Sequence, residues 1–239
     1  MTVLRAVILA VAALGVWFLS NYETQPHWQN YAAKSATDFS ATRAYATLGR
    51  ILGPKEIPDP VSSDNNAAVR ARIQKEFAAI GVKTTTYKAF TCNAWRGFSF
   101  IACATVTDII ADVVPGEGKA IVMLAHYDSV PAGPGASDDK SGVVTVLETA
   151  RALKAKNAPS KHPVIALITD GEEAGLLGAN SFLQNPALKA RVGVVVNVEA
   201  RGTRGQSLLF QTSPGDSKLI DLYAHSVPVM ATSSLYAEI

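Results

Sequence analysis

Cysteine is scarce in this chain, with only two among 239 residues. Two cannot build a Cys-rich zinc module, so any metal must be held mainly by His, Asp and Glu. Basic runs are missing as well: Lys and Arg number 22 against 20 Asp and Glu, a net charge of +2. A dedicated nucleic-acid binder would show a basic patch, so that class is disfavoured. There is no internal repeat and no low-complexity segment, which sets aside solenoids and disordered chains. What remains is a globular composition, 48% hydrophobic and 18% charged, with 17 Gly and 12 Pro. The length allows one large α/β domain or two small ones, with a core that needs no staples.

The first twenty residues, MTVLRAVILAVAALGVWFLS, stand apart. Arg5 is their only charged side chain, and Ala6 to Leu19 is an uncharged run of 14. Counted from Val3 the stretch reaches 17, the lower edge of a membrane span. No small-x-small cleavage site follows; the run ends in Trp17, Phe18 and Leu19. The segment therefore reads as an uncleaved signal-anchor in preference to a cleaved signal. Arg5 on the cytoplasmic side would send the remainder across, with Trp17 and Tyr22 at the interface. A buried N-terminal helix is the third reading, weakened by the lack of a polar face. Cys92 and Cys103 flank two β-rich stretches around Arg96-Gly97. In an oxidising compartment they form either a disulfide across a hairpin or two buried free thiols.

Beyond a polar tether that includes His27, Ala41, Ala44, Tyr45, Leu48 and Ile51 mark a helix over residues 37–52. After a loop over residues 54–65, Val69, Ile73, Phe77 and Ile80 mark a second helix, closed by Gly81. Strands are expected at residues 84–90 and 98–114. The pattern then alternates: strand 120–125, helix 141–154, strand 164–169, helix 176–184, strand 192–198, strand 207–212 and a helix from Lys218. Such alternation predicts an α/β fold, a mainly parallel mixed sheet flanked by helices.

Ligands of open α/β sheets gather beyond the carboxyl ends of the strands. Here AIVMLA runs into His126-Tyr127-Asp128, VIALIT into Asp170-Gly171-Glu172-Glu173, and VGVVVNV into Glu199. Ser137-Asp138-Asp139 lies between the first of these strands and its helix. Carboxylates gathered on one rim repel one another unless cations neutralise them. Histidine with carboxylates suits zinc, manganese or cobalt, and open positions beside such ligands favour hydrolysis.

Together, His126-x-Asp128, Gly135-Ala136-Ser137-Asp138-Asp139, Gly171-Glu172-Glu173 and Asn197-x-Glu199 resemble the M28 family of co-catalytic zinc peptidases. The wording is closest to its membrane-bound branch, the endoplasmic-reticulum and vacuolar-membrane enzymes and their bacterial relatives. The resemblance implies a zinc-exopeptidase-like three-layer sandwich and two Zn2+ ions. His126 and Glu199 would bind one ion and Glu173 the other, with Asp138 bridging both. Glu172 would be the general base acting on a bridging water, and Asp128 would fix the His126 imidazole. Asp139 would be structural, joined to Asp138 by a peptide bond that is often cis in the family.

The resemblance also implies a further His on the second ion. His225 is the only His after Thr212 and reads as a helix interior, so the domain looks C-terminally incomplete. His162 reads as surface. The expected organisation is a signal-anchor over 1–22, a tether over 23–36 and a peptidase domain over 37–239. The expected substrate is a peptide, cleaved outside the cytoplasm by a membrane-anchored aminopeptidase, secreted if the signal is removed. Alternatives are a non-catalytic M28-like binding ectodomain and a glutaminyl-cyclase-like zinc acyltransferase.

Overall fold

The computed structural model describes residues 2–24, 33, 35–94, 101–200, 202 and 207–227. His27, most of the tether and the Arg96-Gly97 turn lie outside them. The chain forms two compact units, Asn30–Ala200 and a second made of Met1–Gln29 with Arg201–Ile239.

Helix α1 is Thr2–Thr24; in the larger unit, Ser40 caps helix α2, Ala41–Leu52. The Ser40 hydroxyl accepts the Arg43 N–H at 3.2 Å, supplying a partner for a helix-end donor. Helix α3, Asp64–Ala79, is capped likewise by Ser63 and buries Val69, Ile73 and Phe77, the spacing expected of its apolar stripe. It closes before Gly81, whose φ of 72° suits a residue without Cβ.

Strands β1 (Thr84–Ala94) and β2 (Ile101–Val114) pair antiparallel, with Cys92 opposite Cys103 and joined to it by a disulfide. Then follow β3 (Ala120–His126), α4 (Lys140–Lys156), β4 (Val164–Thr169), α5 (Leu177–Gln184), α6 (Pro186–Arg191) and β5 (Val192–Asn197). The sheet order is β1-β2-β4-β3-β5. β3 is central to the site: it runs parallel to both β4 and β5, whereas β2 runs antiparallel to β4.

One face of the sheet packs on α2, α3 and α4 through Ile51, Ile73, Phe77, Val143 and Leu147. The other carries a smaller cluster of Ile110, Val122, Ile165, Leu167 and Phe182. Helices on both faces make a three-layer α/β sandwich. Every residue of β4 is buried, as its unbroken apolar run VIALIT requires. Buried Glu148 of α4 accepts the Ser40 N–H and pairs with Arg43 and Arg151, which ties α2 to α4.

The smaller unit contains α1 and α7 (Ser217–Ser226). Val3–Asn21 of α1 is long and apolar enough to cross a membrane. The strand expected over 207–212 does not form among the described residues: only Leu209 makes a bridge. A strand needs a partner ladder longer than one residue, and among the described residues none continues here. The short helix α6 was not anticipated; Asn185 caps it and Pro186 opens it.

Candidate metal centre

Parallel pairing brings the chemistry together. His126 lies level with Thr169 of β4, and Leu124 is level with Asn197 of β5, so the three strands end on one rim. His126 is the last residue of β3; Asp170 follows β4, and Glu199 stands two residues beyond β5. His126 Nε2 lies 3.1 Å from Asp138 Oδ1, 3.7 Å from Glu199 Oε1 and 3.8 Å from Glu172 Oε2. His126, Asp138 and Glu199 present ligand atoms that all lie within 4.8 Å of one another. Glu173 stands outside this trio, but its carboxylate feels the Asp138 charge and is held up mainly by burial.

Asp128 organises the floor of the site and is fully buried. Its carboxylate accepts the Glu172 N–H at 2.9 Å through Oδ1 and the Glu173 N–H at 3.2 Å through Oδ2. His126 Nδ1 lies 3.2 Å from the Asp128 carbonyl oxygen and 3.4 Å from its carboxylate. Asp139 caps α4 by accepting the Gly142 N–H and also accepts the His126 N–H at 3.3 Å. The Asp138–Asp139 peptide bond is cis.

The electrostatics describe a site short of positive charge. Burial opposes protonation of His126, yet Asp128, Glu199 and Glu172 outweigh it and push the imidazole up to about 11. Burial also pushes Glu172 up to about 7, with Glu199, Asp128 and Glu173 adding to the effect. Asp138 is raised by burial and by Glu199. Glu199 is lowered: burial works against it, but the nearby His126 imidazole and the hydrogen bond from the Ala200 N–H prevail. A proton on His126 is the counter-charge that a divalent ion would displace. One imidazole among convergent carboxylates fits zinc by donor chemistry and by charge.

Behind this rim lie Asp170 and three buried polar residues that the strand-end reading does not assign. Asp170, expected on the rim, turns inward, 1% exposed, and accepts the Asn66 side-chain N–H and the Thr107 N–H, both at 2.9 Å. Asp108 of β2 accepts the Asp170 N–H at 2.9 Å. Asp59 and Lys140 form a fully buried ion pair at 2.7 Å. An acid inside the apolar stretch of β2 and a lysine directly after Asp138-Asp139 were the available signals. His225 sits in α7 with Nδ1 2.8 Å from the Asp221 carbonyl oxygen, and His162 is exposed, both as expected.

The sequence profile of peptidase family M28 matches residues 108–239, more than half of the chain. The chain belongs to peptidase family M28. Among M28 relatives, the human endoplasmic reticulum metallopeptidase 1 is 32% identical over 206 residues, 80% of this chain and 22% of that protein. A vacuolar membrane protease of Botryotinia fuckeliana is 42% identical over 205 residues, 72% of this chain and 19% of that protein. The chain thus spans about a fifth of the length of these relatives. A Zn-dependent exopeptidase from Parabacteroides distasonis shares the fold, with a TM-score of 0.62 and 20% identity, covering 83% of this chain and 78% of that one. The M28 membership and the three-layer fold therefore stand together.

Proposed function

We propose that this M28 chain is a membrane-anchored zinc peptidase of the aminopeptidase type. The observation that carries the reading is the approach of His126, Asp138 and Glu199 to within 4.8 Å of one another, with Glu172 Oε2 3.8 Å from the same imidazole. His126, Asp138 and Glu199 would hold the metal, with Glu173 as the ligand expected for a second ion. When bound, zinc supplies Lewis-acid polarisation and an acidified water.

The protein's own groups do the rest. Glu172 accepts the proton of the attacking water and returns it to the departing amine, so one water and one peptide bond give a carboxylate and a free amine. Asp128 holds both the Glu172 and Glu173 amides and so fixes where the base stands. It also orients His126, as partners of metal-binding imidazoles do. We assign residues 1–22 to the anchor, 23–36 to a tether and 37–239 to the peptidase domain. With Arg5 left on the cytoplasmic side, the catalytic face lies outside the cytoplasm.

The test is zinc content and turnover of the full chain in detergent. Aminoacyl-nitroanilides, their N-blocked counterparts and an N-terminal glutaminyl peptide form the substrate panel. Bound zinc with cleavage of only the free-amine substrates supports the reading. Zinc without cleavage but with cyclisation of the glutaminyl peptide overturns it in favour of an acyltransferase, and absence of zinc in favour of a binding ectodomain.

A further inference from the structure

The Asp59–Lys140 ion pair is poorly explained as a source of stability. Both side chains are fully buried, and two ions leave water at a cost that their attraction seldom repays. Lys140 opens α4, where the positive end of the helix dipole disfavours a cation. Asp59 Oδ2 has no hydrogen-bond partner. An apolar pair of similar volume would avoid all three penalties.

What the pair does secure is the meeting of three loops. The Asp59 backbone N–H donates to Ser129 Oγ at 2.9 Å, and Ser129 N–H donates to the Asp59 carbonyl at 3.4 Å, beside Asp128. Lys140 N–H donates to the Gly135 carbonyl at 3.0 Å. A Cβ on Gly135 would stand 3.0 Å from Lys140 Nζ, 2.9 Å from Ser129 Cβ and 2.6 Å from the Asp138 carbonyl oxygen. The loop that presents Asp138 is therefore wrapped around the Lys140 ammonium, and glycine is the residue that lets it close so tightly.

We infer that Asp59 and Lys140 are positioning residues: their buried ion pair sets the loop of residues 135–139 so that Asp138 meets His126. This rests on the metal-centre reading above. The experiment is cobalt(II) titration of the full chain in detergent, followed by visible absorption, with thermal melting in chelator as the control. The paired replacement Asp59→Leu with Lys140→Met should weaken cobalt binding by about 10–100-fold, the usual effect of losing a ligand's supporting contacts. Its metal-free melting should match the unmodified protein within a few degrees. A folded variant with unchanged cobalt affinity overturns the positioning role and leaves the metal centre standing. If the unmodified chain takes up no cobalt, both readings fall. Should the paired replacement not fold, Asp59→Asn keeps the size and the Oδ1 acceptor. In that variant a threefold or greater loss of cobalt affinity supports the role, and unchanged affinity overturns it.

Discussion

Asp128 accepts the backbone N–H of Glu172 at 2.9 Å while its own carbonyl and carboxylate face the His126 ring. One buried acid therefore sets the position of both the proposed base and the proposed ligand. Asp128→Ala should lower zinc affinity by about 10–100-fold and lower turnover beyond what zinc saturation restores. Competition with a chromophoric chelator, followed by activity at saturating zinc, separates the two effects.

Glu172→Gln keeps the side chain's shape and its backbone bond to Asp128 but removes the proton acceptor. Turnover should fall by about 10²–10⁴-fold with zinc content unchanged. Metal analysis beside nitroanilide kinetics checks this, and full activity in the variant would remove Glu172 from its role.

Asp108 gives a pH dependence of known sign. Burial pushes its carboxyl from 3.8 up to about 8, with Asp170 and Asp128 as its charged neighbours. Between those values the unfolded chain has lost the proton that the folded chain keeps, so stability declines as pH rises from about 4 to about 8. Asp108→Asn should be more stable than the unmodified protein at pH 8, by about 1 kcal/mol or more, and gain little at pH 4. Thermal melts in chelator across that range measure it; equal pH slopes for the two proteins would contradict it.

The Cys92–Cys103 bridge closes a loop of sequence separation 11 across β1 and β2. Loop-closure entropy puts its contribution at about 3 kcal/mol. Serine at both positions should lower the melting temperature accordingly, and a reductant should lower that of the unmodified protein but not of the variant.

Deleting residues 2–24 should move the protein from the detergent-requiring fraction to the soluble one. Vesicle flotation of both forms reads this directly, since on the proposed reading the apolar span of α1 is the anchor.

The sheet and its rim were legible because their signals are local. VIALIT is buried at every position, and the strand ends of AIVMLA and VGVVVNV carry His126 and Glu199 to one edge as their spacing required. Short apolar runs rich in β-branched residues and bounded by turn signals mark such strands. Asp59 and Lys140 were not legible, because they are 81 residues apart and only the folded chain shows them in contact. Asp170 was misplaced for a related reason: a carboxylate at a strand end reads as rim, and only Asn66 and Thr107, distant in sequence, show that it points inward. The strand expected over 207–212 failed because an apolar stretch shows the capacity to pair without naming the partner.

Gly178 in α5 has a neighbourhood with no slack: a Cβ there would come within 2.3 Å of Asp108 Oδ1 and 2.5 Å of the Asp170 carbonyl oxygen. The buried Asp108 carboxyl and the helix that covers it are thus fitted to each other at the scale of a single methyl group. Any side chain at 178 would press on Asp108 and on the Asp170 backbone at once, so the freedom of α5 and that of the buried acids are one and the same.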